Sequence, residues 1–477
     1  MDLLLRGDWL GFLGFLIIIS FAIIVLVAFY KGKFNISFLV DFFRKTIPKL
    51  NSSVKIVTKS KAQGIIFGKA YGFFLAVSDC KSEGHIGVLG GSGIGKTSSI
   101  LIPTLQSWTS DNNNSSFVID ISGDIEKNIK TNNKLVFDVD NPTTIPYDVF
   151  SSIDKLMDKD EQIEALQQLG ILLRPITQAD IKSGGGKYYA EGAQCIIQAM
   201  LITGYFHGAD FCQICEMICS CTQQQIISDI NNVGETDAIK IITPYTAETD
   251  LVDGCYNAAR KAVRLFAINK KIKRSVRRPK DFEKSFSPSE IERTNCFIRL
   301  PHNRLKLYEP LAHIIVAQTL DFFMSRPLNY DKQLLFALDE MASLGKLELL
   351  EALRTYRKSG VRIMLLTQSN ADVDLIYSKE ERTSMINNFK YKVILSAEDT
   401  ESQKFYADLI GKETKSDDYS SREQYIIKPE KLGRLRDKLV LIYPEGHMVL
   451  KKNYYFKRSI GERIVDRIKC YLKSEVL

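Results

Sequence analysis

The chain has 477 residues, 45% of them hydrophobic, and a formal charge of +8. That length suffices for one large core or two ordinary ones, and the modest charge excludes a histone-like polycation, so any nucleic-acid contact has to come from local clusters. Nine cysteines with no cleavable signal fit a reducing compartment and free thiols.

The chain opens on an apolar run. Residues 10–29 (LGFLGFLIIISFAIIVLVAF) carry no charge and are flanked by Trp9 and Tyr30. Twenty residues at 1.5 Å each give about 30 Å, the thickness of a hydrocarbon core, with aromatic residues at both interfaces. The run is too long for a signal peptide's apolar region, and no small-residue cleavage site follows. Asp2, Arg6 and Asp8 precede it; Lys31, Lys33, Arg44, Lys45 and Lys49 follow. The positive side is the C-terminal one, which predicts a single-pass protein with its bulk in the cytoplasm. The short apolar patch 36–43 reads as an interfacial or packing helix.

From about residue 60, short β-branched runs alternate with helical patterns, the signature of an α/β protein with a helix-covered parallel sheet. Strands are predicted at HIGVLG (85–90), SFVIDI (116–121), KLVFDV (134–139), NCFIRL (295–300), LLFAL (334–338), VRIMLL (361–366), YKVILS (391–396) and KLVLIY (438–443). Between the third and fourth, residues 151–290 show helical periodicity and no convincing strand. The expected division is therefore an anchor over 1–49, a nucleotide-binding domain built from 50–150 and 291–477, and an all-α domain over 151–290.

GGSGIGKTSS at 90–99 fits G-x-x-x-x-G-K-[ST] through Gly90, Gly95, Lys96 and Thr97. A strand enters it and a helix leaves it, so backbone N–H groups of Gly90, Gly91, Ser92, Gly93 and Gly95 and the helix N-terminus can cradle phosphates. Lys96 would reach the β and γ phosphates of ATP, and the Thr97 hydroxyl would coordinate Mg²⁺. FCQICEMICSC (211–221) invites a zinc reading. Cys212, Cys215 and Cys219, however, lie on one helical face, where small thiols pack, and no separate second Cys/His pair is evident. Residues 260–280 hold ten Lys or Arg and no acid. Arg274, Arg277 and Arg278 are the candidate DNA contacts there, against the alternative of a solvated helix end or a lipid-facing surface.

LLFALDE ends an apolar strand in Asp339 and Glu340, which reads as a Walker B: Asp339 on Mg²⁺, Glu340 on the attacking water. VRIMLLTQS ends at Gln368, an amide placed to sense the γ-phosphate if its strand neighbours the Walker B strand.

Taken together, GGSGIGKTSS, FVIDISGD, NPTTIPYDVF, YYAEGAQ, LFALDEMASLGKL, LRTYRKSGVRIMLLTQS and YPEGHMVLKKNYYF resemble the type IV coupling proteins of conjugation, the TraG/TraD-like family. The stretch Leu338, Asp339, Glu340, Leu344, Gly345, Lys346 and Leu347 is more specific to it than the P-loop, and it disfavours a chromosome-segregating duplex pump. The resemblance implies a RecA-like P-loop NTPase with an inserted all-α domain and an N-terminal transmembrane helix in a bacterial inner membrane. It also implies a hexameric ring with nucleotide between subunits, and relaxase-bound single-stranded DNA delivered to inner-membrane secretion components. Arg357 matches the arginine that such enzymes offer to a neighbour's nucleotide, with Arg354 one helical turn away as competitor. Ser122, Gly123 and Asp124 stand where the family carries Lys-Gly-Glu, and one span is found where many members have two. The expected function is an ATP-driven DNA translocase; the alternative is a docking receptor for protein substrates, with ATP as a switch.

Overall fold

The computed structural model describes residues 53–71, 74–78, 84–327, 331–417 and 420–457. The expected span at 10–29 and the patch at 36–43 lie outside them. Among the described residues no helix is long and apolar enough to cross a membrane.

Fourteen strands occur among the described residues: β1 Val54–Val57, β2 Ile66–Ala70, β3 Phe74–Ser78, β4 His85–Leu89, β5 Asn114–Asp120, β6 Lys134–Asp138, β7 Asn295–Arg299, β8 Gln333–Leu338, β9 Val361–Thr367, β10 Phe389–Ile394, β11 Lys412–Asp417, β12 Ser420–Tyr425, β13 Lys438–Tyr443 and β14 Gly446–Lys451. Twelve form one sheet in the order β1-β3-β2-β14-β13-β10-β4-β9-β8-β5-β7-β6, while β11 and β12 form a separate hairpin. All eight predicted strands are present within a residue or two of their expected ends.

From β10 through β6 every neighbouring pair runs parallel. These strands read as continuous apolar runs because helices cover both faces; β9 is buried at every position. The eighth predicted strand departs from the parallel expectation. β13 lies antiparallel to β10 and to β14. β13 and β14 are joined by the two residues Pro444 and Glu445, and so short a link permits only a hairpin between those two strands. β14 then meets β2, so strands from the beginning and end of the described chain flank the parallel half.

Between β6 and β7 the long elements are helices, principally Lys159–Leu173, Gly186–Phe206, Phe211–Ser220, Gln223–Val233 and Asp250–Ile268. Thr222 with Gln225, and Asp210 with Gln213, form capping boxes that fix where two of them start. Gly186–Phe206 and Asp250–Ile268 approach closely at Gly192, where a Cβ would stand 2.4 Å from Cys255 Sγ. Their apolar faces join the core beneath the sheet, which runs without a break from Phe117, Phe336 and Ile363 to Ile196, Ile214 and Phe266. Cys212 and Cys215 pack within that core, and burial pushes both thiols above their ordinary range.

Arg326 ties three segments under the sheet. Its guanidinium donates to both carboxylate oxygens of Glu292 at 3.0 and 2.7 Å and to the Ser359 carbonyl at 3.1 Å, just before β9. The arginine side chain is 3% exposed. Removing one partner of so buried a pair leaves a charge without its counterion. Glu292→Ala should therefore cost about 3–5 kcal/mol, measured as a lowered urea midpoint with an unchanged slope.

Candidate functional site

Four parallel strands in the order β4-β9-β8-β5 set the site. Leu89 pairs with Thr367, Leu338 with Leu365, and Ile119 with Leu338, so all four carboxyl ends stop at one edge. A parallel sheet places ligands outside that edge.

β4 runs directly into the loop at 90–96, and Lys96 begins the helical winding that continues through a wide turn, Thr97–Leu101, into Ile102–Trp108. Gly93 and Gly95 have φ of +70° and +96°, values that a side chain would strain, which is why the loop can curl with its N–H groups inward. The Lys96 ammonium donates to the carbonyls of Gly90 and Gly91 at 2.8 and 2.9 Å. Burial lowers its pKa, while the carboxylates of Glu340, Asp339, Glu398 and Asp372 act to raise it. A buried cation facing four acids is arranged for a polyanion that arrives with its own cation.

Thr97 donates its hydroxyl to Asp339 Oδ1 at 2.9 Å, joining the P-loop helix to the end of β8. Asp339 is 2% exposed, and its pKa is raised to about 7, chiefly by burial. The Thr97 hydrogen bond and Lys96 oppose that rise, and Glu340 and Asp120 add to it. A carboxylate so placed gains from a divalent cation, and a hydroxyl beside it completes the oxygen donors that Mg²⁺ prefers.

The next residue, Glu340, adopts a left-handed backbone, φ 60° and ψ 59°. Such a conformation is uncommon for a non-glycine residue and costs on the order of 1–3 kcal/mol. It turns the side chain toward β9, where the Gln368 amide donates to Glu340 Oε1 at 2.7 Å. The condition set for Gln368 is thus met, since β9 lies between β4 and β8.

Lys96, Thr97, Asp339, Glu340 and Gln368 come together; Arg357 does not join them. It is exposed on the turn Tyr356–Ser359, which precedes β9 and so lies toward the amino ends of the strands. A five-residue strand such as β4 puts about 16 Å between its two ends. Its positive charge, after burial, lowers the pKa of His85, the first residue of β4. Arg354 is also exposed and donates to Ser384 Oγ at 3.2 Å. Neither arginine can serve the P-loop of its own chain from there.

The three arginines singled out for DNA have partners within the chain. Arg277 makes a bidentate pair with Glu283 at 2.7 and 2.6 Å; Arg278 reaches Asp154 at 3.5 Å and lies over the Phe150 ring; Arg274 donates to the Val139 carbonyl. Lys273 pairs with Glu216 and Lys271 with Asp140. Lys261, Arg264 and Lys270, with Lys280 at the far end, are the exposed cations of the stretch.

Sequence reasoning missed three features. Asp120, buried at the end of β5, accepts hydrogen bonds from Gly123 N, Glu126 N and Ser122 Oγ, so it shapes the turn that carries Ser122, Gly123 and Asp124. Its signal was the acid ending SFVID, the same pattern as in LLFALD. A cavity of 250 Å³ beside the loop is lined by Gly91, Ser92, Gln368, Asp372 and Glu398, among others. Glu398 leans so far over the loop that a Cβ on Gly91 would stand 2.2 Å from its Oε1. Finally, residues 452–457 pack on the loop, Lys452 donating its ammonium to the Ile94 carbonyl at 2.9 Å and Tyr455 its N–H to the Ser98 carbonyl at 3.1 Å.

Residues 333–440 match a family model described as the TraM recognition site of TraD and TraG. A VirD4 protein of Rhizobium rhizogenes is 25% identical over 195 residues, 37% of this chain and 29% of that protein. A conjugal transfer protein TraG of Rhizobium radiobacter is 33% identical over 103 residues, 21% of this chain and 16% of that one. The chain thus spans less than a third of the length of these relatives. Among solved structures, the plasmid coupling protein TrwB with a non-hydrolysable ATP analogue superposes with a TM-score of 0.67 at 16% identity, covering 88% of this chain and 92% of that one. TrwB with ADP and Mg²⁺ gives 0.63 at 16%, covering 78% and 85%. The chain therefore has the mixed α/β fold of TrwB, with its large central sheet, and is similar in sequence to type IV coupling proteins over part of its length.

Proposed function

We propose that this chain is a membrane-anchored ATPase that couples hydrolysis of Mg²⁺-bound ATP to the transfer of single-stranded DNA through a type IV secretion channel. The observation that carries the reading is the pair of contacts across the carboxyl edge, Thr97 to Asp339 and Glu340 to Gln368. They bring a phosphate loop, a buried acid, a second acid and an amide to one place. The TrwB structures with analogues of ATP and GTP, and with ADP and Mg²⁺, support nucleotide binding at such a site.

In this reading the loop N–H groups from Gly90 to Gly95 hold the phosphates, and Lys96 moves from its own loop carbonyls to the β and γ oxygens. Thr97 and Asp339 hold Mg²⁺, which when bound neutralises charge on the transferring phosphate. Glu340 orients the attacking water and takes up its proton. Gln368 holds the Glu340 carboxylate and reports on the γ position. Arg357, too far from its own P-loop, acts on the nucleotide of the next protomer in a ring, an arrangement that requires the hexamer.

The all-α segment 151–290 is proposed as the cytoplasmic domain and residues 10–29 as the inner-membrane span. Relaxosome proteins and secretion components are the proposed partners. The matched family segment, described by its recognition of TraM in TraD and TraG, also favours the docking-receptor reading, in which ATP is a switch. Stimulation of ATPase turnover by single-stranded DNA discriminates the two: a motor is accelerated by the strand and a receptor is not.

Lys96→Ala should lower turnover by at least about 100-fold while thermal unfolding stays cooperative. Glu340→Gln should keep ATP binding and lose a similar factor in turnover; a folded Glu340→Gln protein unable to bind ATP would remove that acid from its proposed role. Arg357→Ala should be as inactive alone as Lys96→Ala. Mixing the two should restore partial activity, because some interfaces would then join an intact Lys96 to an intact Arg357. Differential tags confirm mixed assembly, and no recovery in confirmed mixtures would count against a role between subunits.

For DNA, the exposed cations are the ones available to phosphates. Replacing Lys261, Arg264 and Lys270 with Gln should weaken single-stranded DNA binding alike for all sequences. The slope of log affinity against log salt should flatten by about 0.7 for each phosphate that is no longer neutralised. Arg277→Ala should instead lower stability, having lost its pair with Glu283. An unchanged salt slope in the triple variant would place the DNA track elsewhere.

A further inference from the structure

The nucleotide-site reading accounts for phosphate, metal and water, but not for the nucleoside. The phosphate chain has its reacting end between Lys96 and the pair Glu340 and Gln368, on the side of β9 and β8. In that reading its other end would leave the loop over the first turn of the helix that starts at Thr97. That turn is where residues 452–457 arrive, since they follow β14, and β14, β13 and β10 flank β4 on the side away from β9.

The strap is built against the loop. Lys452 is 5% exposed and holds the Ile94 carbonyl; the Tyr455 N–H holds the Ser98 carbonyl. Between these anchors the Tyr454 ring lies on Gly95, where a Cβ would stand 2.8 Å from its Cε1. Phe456, 57% exposed, packs on Tyr454 with ring centroids 5.3 Å apart, and the Lys457 ammonium stands 4.4 Å from the Tyr454 centroid, where a stacking partner would sit. The 250 Å³ cavity, lined by residues that follow β9 and β10, is a poor place for a base. Asp372, Glu398 and Asp399 line it, and its Tyr406 is buried with its hydroxyl donated to Asn370.

Resting on the nucleotide-binding reading above, we propose that Tyr454, held against Gly95 by the Lys452 and Tyr455 anchors, is the platform on which the purine base stacks. The Lys457 side chain yields its place over the ring to the base. Stacking uses the π-face that every base has, so adenine and guanine nucleotides both find the platform.

The test uses the full-length chain and equilibrium titration with ATP, GTP and inorganic tripolyphosphate, each with Mg²⁺. Tyr454→Ala should weaken ATP and GTP about tenfold each and tripolyphosphate less than about twofold, and Tyr454→Phe should hold all three within about twofold. Wild-type affinity for both nucleotides in Tyr454→Ala would overturn the platform, as would an equal loss of tripolyphosphate, which would make the ring a support for the loop only. Lys96→Ala separates the two levels of the argument, because it should lose all three ligands. If it does so while Tyr454→Ala binds ATP normally, the platform falls and the phosphate site stands. If the wild-type chain binds none of the three, both fall together.

Discussion

The hydrogen bond from Thr97 to Asp339 closes a separation of 242 residues in sequence, and the site depends on that closure. Each half is ordinary alone: a loop that curls round anions, and an acid at the end of a strand. What joins them is strand register. A slip of one residue between β9 and either neighbour would turn Asp339 or Thr367 to the other face of the sheet and leave the loop opposite an apolar side chain. Both faces of β4, β8 and β9 are buried, so such a slip would expose or crowd large apolar groups, and the packing that stabilises the sheet also fixes the chemistry.

The desolvation that raises Asp339 toward neutrality and the left-handed turn at Glu340 are two costs concentrated at adjacent residues. Neither helps the chain fold. Both make sense if the acid is meant to meet a cation and the next carboxylate must face β9 rather than continue along β8. The sheet on either side, and the Arg326 pair beneath it, supply the rigidity that holds these two residues where isolated peptide would not.

Much of the fold was legible because the parallel strands announce themselves as short runs of Val, Ile, Leu and Phe ending in glycine, acidic or amide residues. HIGVLG, LLFALD and VRIMLLTQ each contain a strand and the group it delivers. The strands β2, β3 and β14 were not legible, since FLAVS is only five residues long and IFGKA and GHMVLK mix glycine, lysine or histidine into the pattern. Their pairing depends on long-range neighbours. Residue type located Lys96 and Glu340 but could not show that Arg277 and Arg278 already face Glu283 and Asp154, because a cluster of cations looks the same in sequence whether or not acids from elsewhere fold onto it. The strap failed for a similar reason: KKNYYF carries no period, and only the chain's return to the loop gives it meaning.

The sheet order also constrains how the protein can be made. β4 sits between β9 and β10, so its two hydrogen-bonding edges wait for partners that end about 280 and 305 residues later. At roughly 5–20 residues per second of synthesis, the nascent apolar strand has unpaired edges for something like 15–60 s. During that interval the helices of 151–290 are complete and local, and they can form while the central strand cannot. A nascent chain of this topology is a natural client for ribosome-bound holding factors, and truncation anywhere before β10 would leave the phosphate loop on a strand with an open edge.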